Sequence, residues 1–219
     1  MTLWIFGDSW GTPWSIPRNA HFLHRYCSSV VDCKYRNLSK AGAGISQVRN
    51  TFFQTISKIN SRRDSVFFII PPDIRLFFPV PGEDGVRTIS VVERVWHNLL
   101  GSVDPNIRDS YFYSVVGSEI LLLQNTCLAE GLSYTMWHNY GVIDFDSTPY
   151  YNLIDTTRFV STSSMMSNLL GYEYSLADGD DGPDVSITNS SKYFLYRDQH
   201  PSVKGHDRLL EIYTDWVTR

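Results

Sequence analysis

The chain opens on an uninterrupted apolar run, Leu3-Trp4-Ile5-Phe6, that stops abruptly at Gly7-Asp8-Ser9. A run of that length bounded by turn residues predicts a short buried strand over residues 3–7. From Pro17 to about Val31, Phe22, Leu23, Tyr26 and Val30 recur at helical spacing and predict an amphipathic helix. Lys34–Leu38 reads as a second strand, followed by the small-residue turn Lys40-Ala41-Gly42-Ala43-Gly44. Ser46 is the expected N-cap of a helix over about Gln47–Asn60, with Val48, Phe52, Phe53 and Ile56 as its apolar stripe. Ser65–Ile70 is continuous and rich in β-branched and aromatic residues, so it predicts a strand buried on both faces. Pro71-Pro72 ends it.

Residues 73–90 carry Pro79, Pro81, Gly82 and Gly85 and read as an irregular loop. Helical patterns follow at about Val91–Leu100 and Asp109–Glu130, with Gly131 suited to the position just past the second. Ser133–His138 is a fourth strand, Ser147–Leu170 is mixed with a short helix near its end, and residues 171–191 are loop-rich. The last helix is expected from about Ser202 to Trp216. Strands alternating with helices imply a single α/β domain over 1–219: a three-layer α/β/α sandwich with a mostly parallel sheet. Ligands of such sheets bind beyond the C-terminal strand ends. Ser9, Gly42, Pro72, Asp73 and Asn139 would all stand on that rim, and the late loop at Asp198-Gln199-His200 can reach it.

Composition narrows the function. With 219 residues, 42% hydrophobic and 19% charged, the chain can bury a sizeable core and is not a disordered tail. A net charge of −4 with no basic run gives nucleic-acid binding little electrostatic support. No stretch approaches the roughly 20 apolar residues of a membrane span. The N-terminus has neither the basic nor the apolar region of a signal peptide, so a cytoplasmic location is expected, with a mature secreted chain stripped of its signal as the alternative. Cys27, Cys33 and Cys127 are odd in number and lack metal-ligand spacing, which favours free thiols.

The chemistry-bearing residues are a serine early and an aspartate with a histidine late. A serine hydroxyl is a poor nucleophile at neutral pH and needs a base within hydrogen-bond reach. His200 suits that task, and Asp198 would fix its tautomer. An oxyanion needs preorganised N–H donors, and the backbone N–H groups of Ser9 and Gly42 are the natural candidates. Other groups have plainer readings. His21 and His24 have metal-pair spacing, but a solvated helix face is favoured, and His206 reads as structural or solvated. The acidic stretch Asp178–Asp184 lacks a full calcium-ligand pattern and reads as a solvated loop. Trp10, Trp14, Tyr140, Tyr150 and Tyr151 fall near the rim, as a sugar-stacking platform or as ordinary packing.

Gly7-Asp8-Ser9, Asn37-Leu38-Ser39-Lys40-Ala41-Gly42 and Asp198-Gln199-His200 together resemble the first, second and last signature blocks of the SGNH (GDSL-type) serine hydrolases. The resemblance implies Ser9 as nucleophile, His200 as base and Gly42 as oxyanion donor. It departs from the family in two places. Acid and base are spaced Asp-x-His instead of Asp-x-x-His, with Arg197 at the usual acid position. The third block, Gly-x-Asn-Asp, is replaced by Pro71-Pro72-Asp73-Ile74-Arg75, so the third donor is either missing or supplied by Arg75 or Asn139. The implied function is a serine esterase that needs no cofactor and acts on a small-molecule or glycan ester, first of all a carbohydrate O-acetyl group. A lipid or thioester hydrolase, an acyltransferase with the same triad, and a catalytically degenerate binding module are the alternatives. The resemblance also leaves a viral source open.

Overall fold

The computed structural model describes residues 1–13, 16–71, 75–79, 86–90, 105–140, 150–173, 189–196 and 198–219. Among these residues four parallel strands form the central sheet: β1 (Thr2–Phe6), β2 (Lys34–Asn37), β3 (Ser65–Ile70) and β6 (Ser133–His138), in the order β2-β1-β3-β6. Register pairs Leu3 with Tyr35 and Ser65, and Ser65 with Ser133, so all four strands end on one rim.

Alternation along the strands explains the three layers. Trp4, Phe6, Val66, Phe68, Ile70, Tyr134 and Met136 face one side. There they pack on α2 (Ile45–Phe53) and α3 (Pro105–Ala129) through Val48, Phe52, Ile120 and Leu123. Leu3, Ile5, Phe67, Ile69 and Trp137 face the other side. They meet α1 (Phe22–Arg25), α4 (Met165–Leu170) and α5 (Val203–Val217) through Phe22, Leu23, Met165, Leu169, Leu209 and Tyr213. β3 is buried on both faces, as its composition predicts.

Several boundaries follow local chemistry. α3 ends in a Schellman motif: Leu132 N–H donates to Cys127 O at 2.8 Å, Gly131 N–H donates to Leu128 O at 3.1 Å, and Gly131 takes φ 63°. Ser202 caps α5, its Oγ accepting from Gly205 N–H.

Other elements differ from the sequence reading. Gly44, not Ser46, caps α2, because the Ser46 hydroxyl donates to Glu119 of α3 at 2.9 Å and Arg49 pairs with the same carboxylate. The helix expected over 17–31 is broken. A 3₁₀ turn at Arg18–Ala20 gives way to extended His21, then to α1 and a π-turn at Tyr26–Val30. Part of the expected 73–90 loop is an antiparallel hairpin, β4 (Arg75–Pro79) with β5 (Val86–Ser90). Leu76, Phe77, Phe78, Thr88 and Ile89 favour strand, while Pro81, Gly82 and Gly85 fall between the two strands. The helix expected over 91–100 and the acidic stretch 178–184 lie outside the described residues.

Candidate active site

The turn after β1 is built by close packing. A Cβ on Gly7 would stand 2.7 Å from Cβ of Ile69, and one on Gly11 would stand 2.2 Å from Oγ of Ser39. Only glycine lets the segment from 7 to 11 lie this close to β3 and to the loop after β2. That second loop is zipped to the first. Lys40 N–H donates to Gly7 O at 3.0 Å, and the Asn37 amide donates to Gly11 O. Within the turn, Gly11 N–H donates to Asp8 O, and both the N–H and hydroxyl of Thr12 donate to Ser9 O.

Ser9 is buried at the rim, between buried Asp8 and buried Trp10. The Trp10 ring packs edge-on against Tyr140 and Phe194, with centroids 5.2 Å and 6.4 Å away. Trp10 and Tyr140 are therefore core packing and not an open sugar platform. Trp14 and the side chain of Tyr151 lie outside the described residues.

Phe194 begins the loop that presents the histidine. An isolated antiparallel bridge joins Phe194 to Pro201. Leu195 N–H donates to His200 O, and Asp198 N–H donates to Leu195 O. Asp198 Oδ1 accepts from His200 N–H at 3.0 Å and hydrogen-bonds His200 Nδ1. With Nδ1 donating to the carboxylate, Nε2 becomes the acceptor that a general base requires. The Asp-x-His spacing therefore suffices to orient the imidazole. One carboxylate oxygen serves both the ring and the backbone of the same residue.

A buried histidine pair ties this loop region to the serine turn. His21 Nε2–H donates to Trp10 O at 3.1 Å, while its Nδ1 accepts from Leu23 N–H and starts α1. The His21 ring lies 4.7 Å from that of His206 on α5, whose Nδ1 accepts from Phe22 N–H. His21 is thus a buried cap and not part of a solvated face, and His206 is structural. Among the described residues no group of three or more His, Cys, Asp or Glu side chains is arranged to hold a metal ion.

Burial holds these rings neutral. It lowers the His21 pKa to about 4 and His138 to about 3, and pushes His206 well below the ordinary histidine value. The unfolded chain therefore binds more protons between about pH 6.5 and 4. Stability is complete above the unfolded value and is lost as pH falls toward the folded one, by roughly 3 kcal/mol for a shift of the size of that of His21. Thermal melts from pH 7 to 4 should show a steady decline in Tm accompanied by proton uptake on unfolding. A flat Tm across that window contradicts the buried neutral rings.

Gly42 lies on the loop between β2 and α2, exposed, at φ 76°, with open space where a side chain would stand. Asn139 directly follows β6 and is buried; its amide Nδ2 donates to Asp8 Oδ2 at 2.7 Å. The backbone of Arg75 opens β4, while its side chain, Pro72, Asp73 and Arg197 lie outside the described residues. The structure thus joins Asp198 to His200 directly and packs the Ser9 turn and the His200 loop on each other through Trp10 and Phe194. The Asp8–Asn139 bond is the feature that sequence reasoning missed.

No protein-family model matches the sequence, and no curated protein does. Solved structures do. A member of the lipolytic protein G-D-S-L family from Veillonella parvula DSM 2008 superposes with a TM-score of 0.54 at 12% identity, over 100% of this chain and 99% of that one. The crystal structure of TesA superposes with a TM-score of 0.55 at 11% identity, over 99% and 98%. Among the described residues no helix is long and apolar enough to cross a membrane. With its parallel sheet, its two helical layers and end-to-end superposition, the chain has the α/β/α fold of G-D-S-L-type (SGNH) lipolytic proteins.

Proposed function

We propose that this single-domain chain is a serine hydrolase of ester bonds, with Ser9 as nucleophile, His200 as general base and Asp198 as the acid that orients it. The observation that carries this reading is the Asp198–His200 pair, on a loop packed against the residue next to Ser9, at the C-terminal rim of the sheet. In the proposed reaction His200 Nε2 takes the proton of the Ser9 hydroxyl as its oxygen attacks the ester carbonyl. The imidazolium then gives that proton to the departing alcohol, and water, activated by the same histidine, releases the acid. Asp198 stays ionised and stabilises the imidazolium. Backbone N–H groups of Ser9 and Gly42 would receive the oxyanion, each such donor being worth about 2.7–4 kcal/mol. No step requires a cofactor.

A small acyl ester, such as an O-acetyl group on a carbohydrate, is the proposed substrate. The test is p-nitrophenyl acetate hydrolysis together with fluorophosphonate labelling, which reports an activated serine. A folded protein with neither property is a degenerate binding module instead. Arg75 is proposed as the third oxyanion contact or as a grip on an anionic substrate group. Arg75→Ala should then lower kcat or kcat/KM by about 10²-fold while labelling remains detectable. A change of less than about threefold, far below one donor's worth, removes Arg75 from the site.

A further inference from the structure

Asp8 and Asn139 are 131 positions apart in sequence, yet they meet as a fully buried pair at the C-terminal ends of β1 and β6. Both oxygens of the carboxylate are engaged. Oδ2 accepts from Asn139 Nδ2 at 2.7 Å, and Oδ1 accepts from Trp10 N–H at 3.0 Å, spanning Ser9. Asn139 is itself fixed on three sides. Its Oδ1 accepts from Tyr140 N–H at 2.7 Å, its N–H donates to Ile70 O at 3.1 Å, and its carbonyl accepts from Met166 N–H at 2.9 Å. A buried carboxylate persists only when it is well hydrogen-bonded, and losing one partner costs the full desolvation of the group left behind.

We infer that Asn139 and Asp8 are a positioning pair that locks the Ser9 turn to the ends of β3 and β6, an inference resting on Ser9 as the nucleophile. The residues before and after Ser9 are both held by one carboxylate, and that carboxylate is held by an amide anchored elsewhere. The bond therefore sets where the Ser9 hydroxyl and N–H point. A displacement of the order of 1 Å at such a point can cost about 10²-fold in rate. This task differs from the direct oxyanion contact expected of Asn139 from the sequence.

A reciprocal exchange separates the two roles. In the double variant Asp8→Asn/Asn139→Asp, the amide at position 8 donates to the carboxylate at position 139. Trp10 N–H and Tyr140 N–H keep their acceptors, and net charge is unchanged. Asn139→Ala and Asp8→Asn alone each break the pair. The singles should lose about tenfold or more in kcat and in fluorophosphonate labelling rate, with KM within about threefold, and the double variant should return to within about threefold of the parent. Melting temperatures and circular dichroism report folding in parallel. If a single does not fold, the exchange still decides. A double variant that fails to fold, or folds but stays as slow as Asn139→Ala, overturns the pair. An oxyanion donor gives that second result, because a carboxylate at 139 repels the oxyanion. Singles that label at the parental rate also overturn it. A parent that is never labelled at Ser9 instead removes the nucleophile, and the positioning role with it.

Discussion

Ser9→Ala should abolish p-nitrophenyl ester hydrolysis, with a loss of at least about 10⁴-fold, and should leave no fluorophosphonate adduct. The size follows from the chemistry. Without the hydroxyl there is no acyl-enzyme, and only binding and oxyanion contacts remain to help a water molecule attack. The substitution should leave the fold intact. Within the turn the Ser9 carbonyl accepts from the N–H and hydroxyl of Thr12, and alanine preserves that carbonyl. Circular dichroism and Tm close to the parent's are the required control. Parental turnover by a folded Ser9→Ala protein would move the nucleophile elsewhere.

The layers that place Ser9 were legible because each carries its own pattern. β1 and β3 are apolar runs bounded by turn residues, and the structure places β3 and β6 at Ser65–Ile70 and Ser133–His138 as expected. Gly131 and Ser202 announce helix ends through chemistry that acts within a few residues, and both act there. Two of the misreadings share one cause, a tertiary partner outranking a local preference. Ser46 is a good cap by itself, but Glu119 across the helix interface takes its hydroxyl. A helix from Pro17 to Val31 satisfies the apolar spacing, but His21 leaves helical geometry and reaches the Trp10 carbonyl. The hairpin β4–β5 was hidden by prolines and glycines, which signal turns without saying that strands flank them.

The site shows the same division. Asp198 and His200 are two residues apart, so their bond is local and can be expected from spacing. Asp8 and Asn139 are brought together only by the strand order β2-β1-β3-β6, which places the ends of β1 and β6 on either side of β3. No periodicity or motif encodes that meeting. Asn139 stood out in the sequence only because it follows a strand, and that fact locates it on the rim without naming its partner.

Asp198→Asn should be the most damaging change after loss of the serine or the histidine. In the serine-protease triad the equivalent exchange lowers kcat by about 10⁴-fold while leaving geometry intact, because an amide stabilises the wrong imidazole tautomer. The same reasoning applies to this loop with one addition. Asp198 Oδ1 also accepts from His200 N–H, so the carboxylate sets both the ring's tautomer and the backbone that carries it. Asparagine keeps an oxygen for the backbone N–H. The same Oδ1 also meets the ring Nδ1, so an amide oxygen left there keeps the loop's shape but brings no negative charge to the imidazolium, while an amide nitrogen turned there fixes the wrong tautomer. The expected signature is therefore a fall in kcat of about 10³–10⁴-fold with little change in Tm. Arg197→Ala, at the position where the acid usually stands, should change kcat far less. Measuring both variants on p-nitrophenyl acetate decides between them. A large loss at Arg197 with a small one at Asp198 would mean that the short spacing does not orient the base and that another acid does.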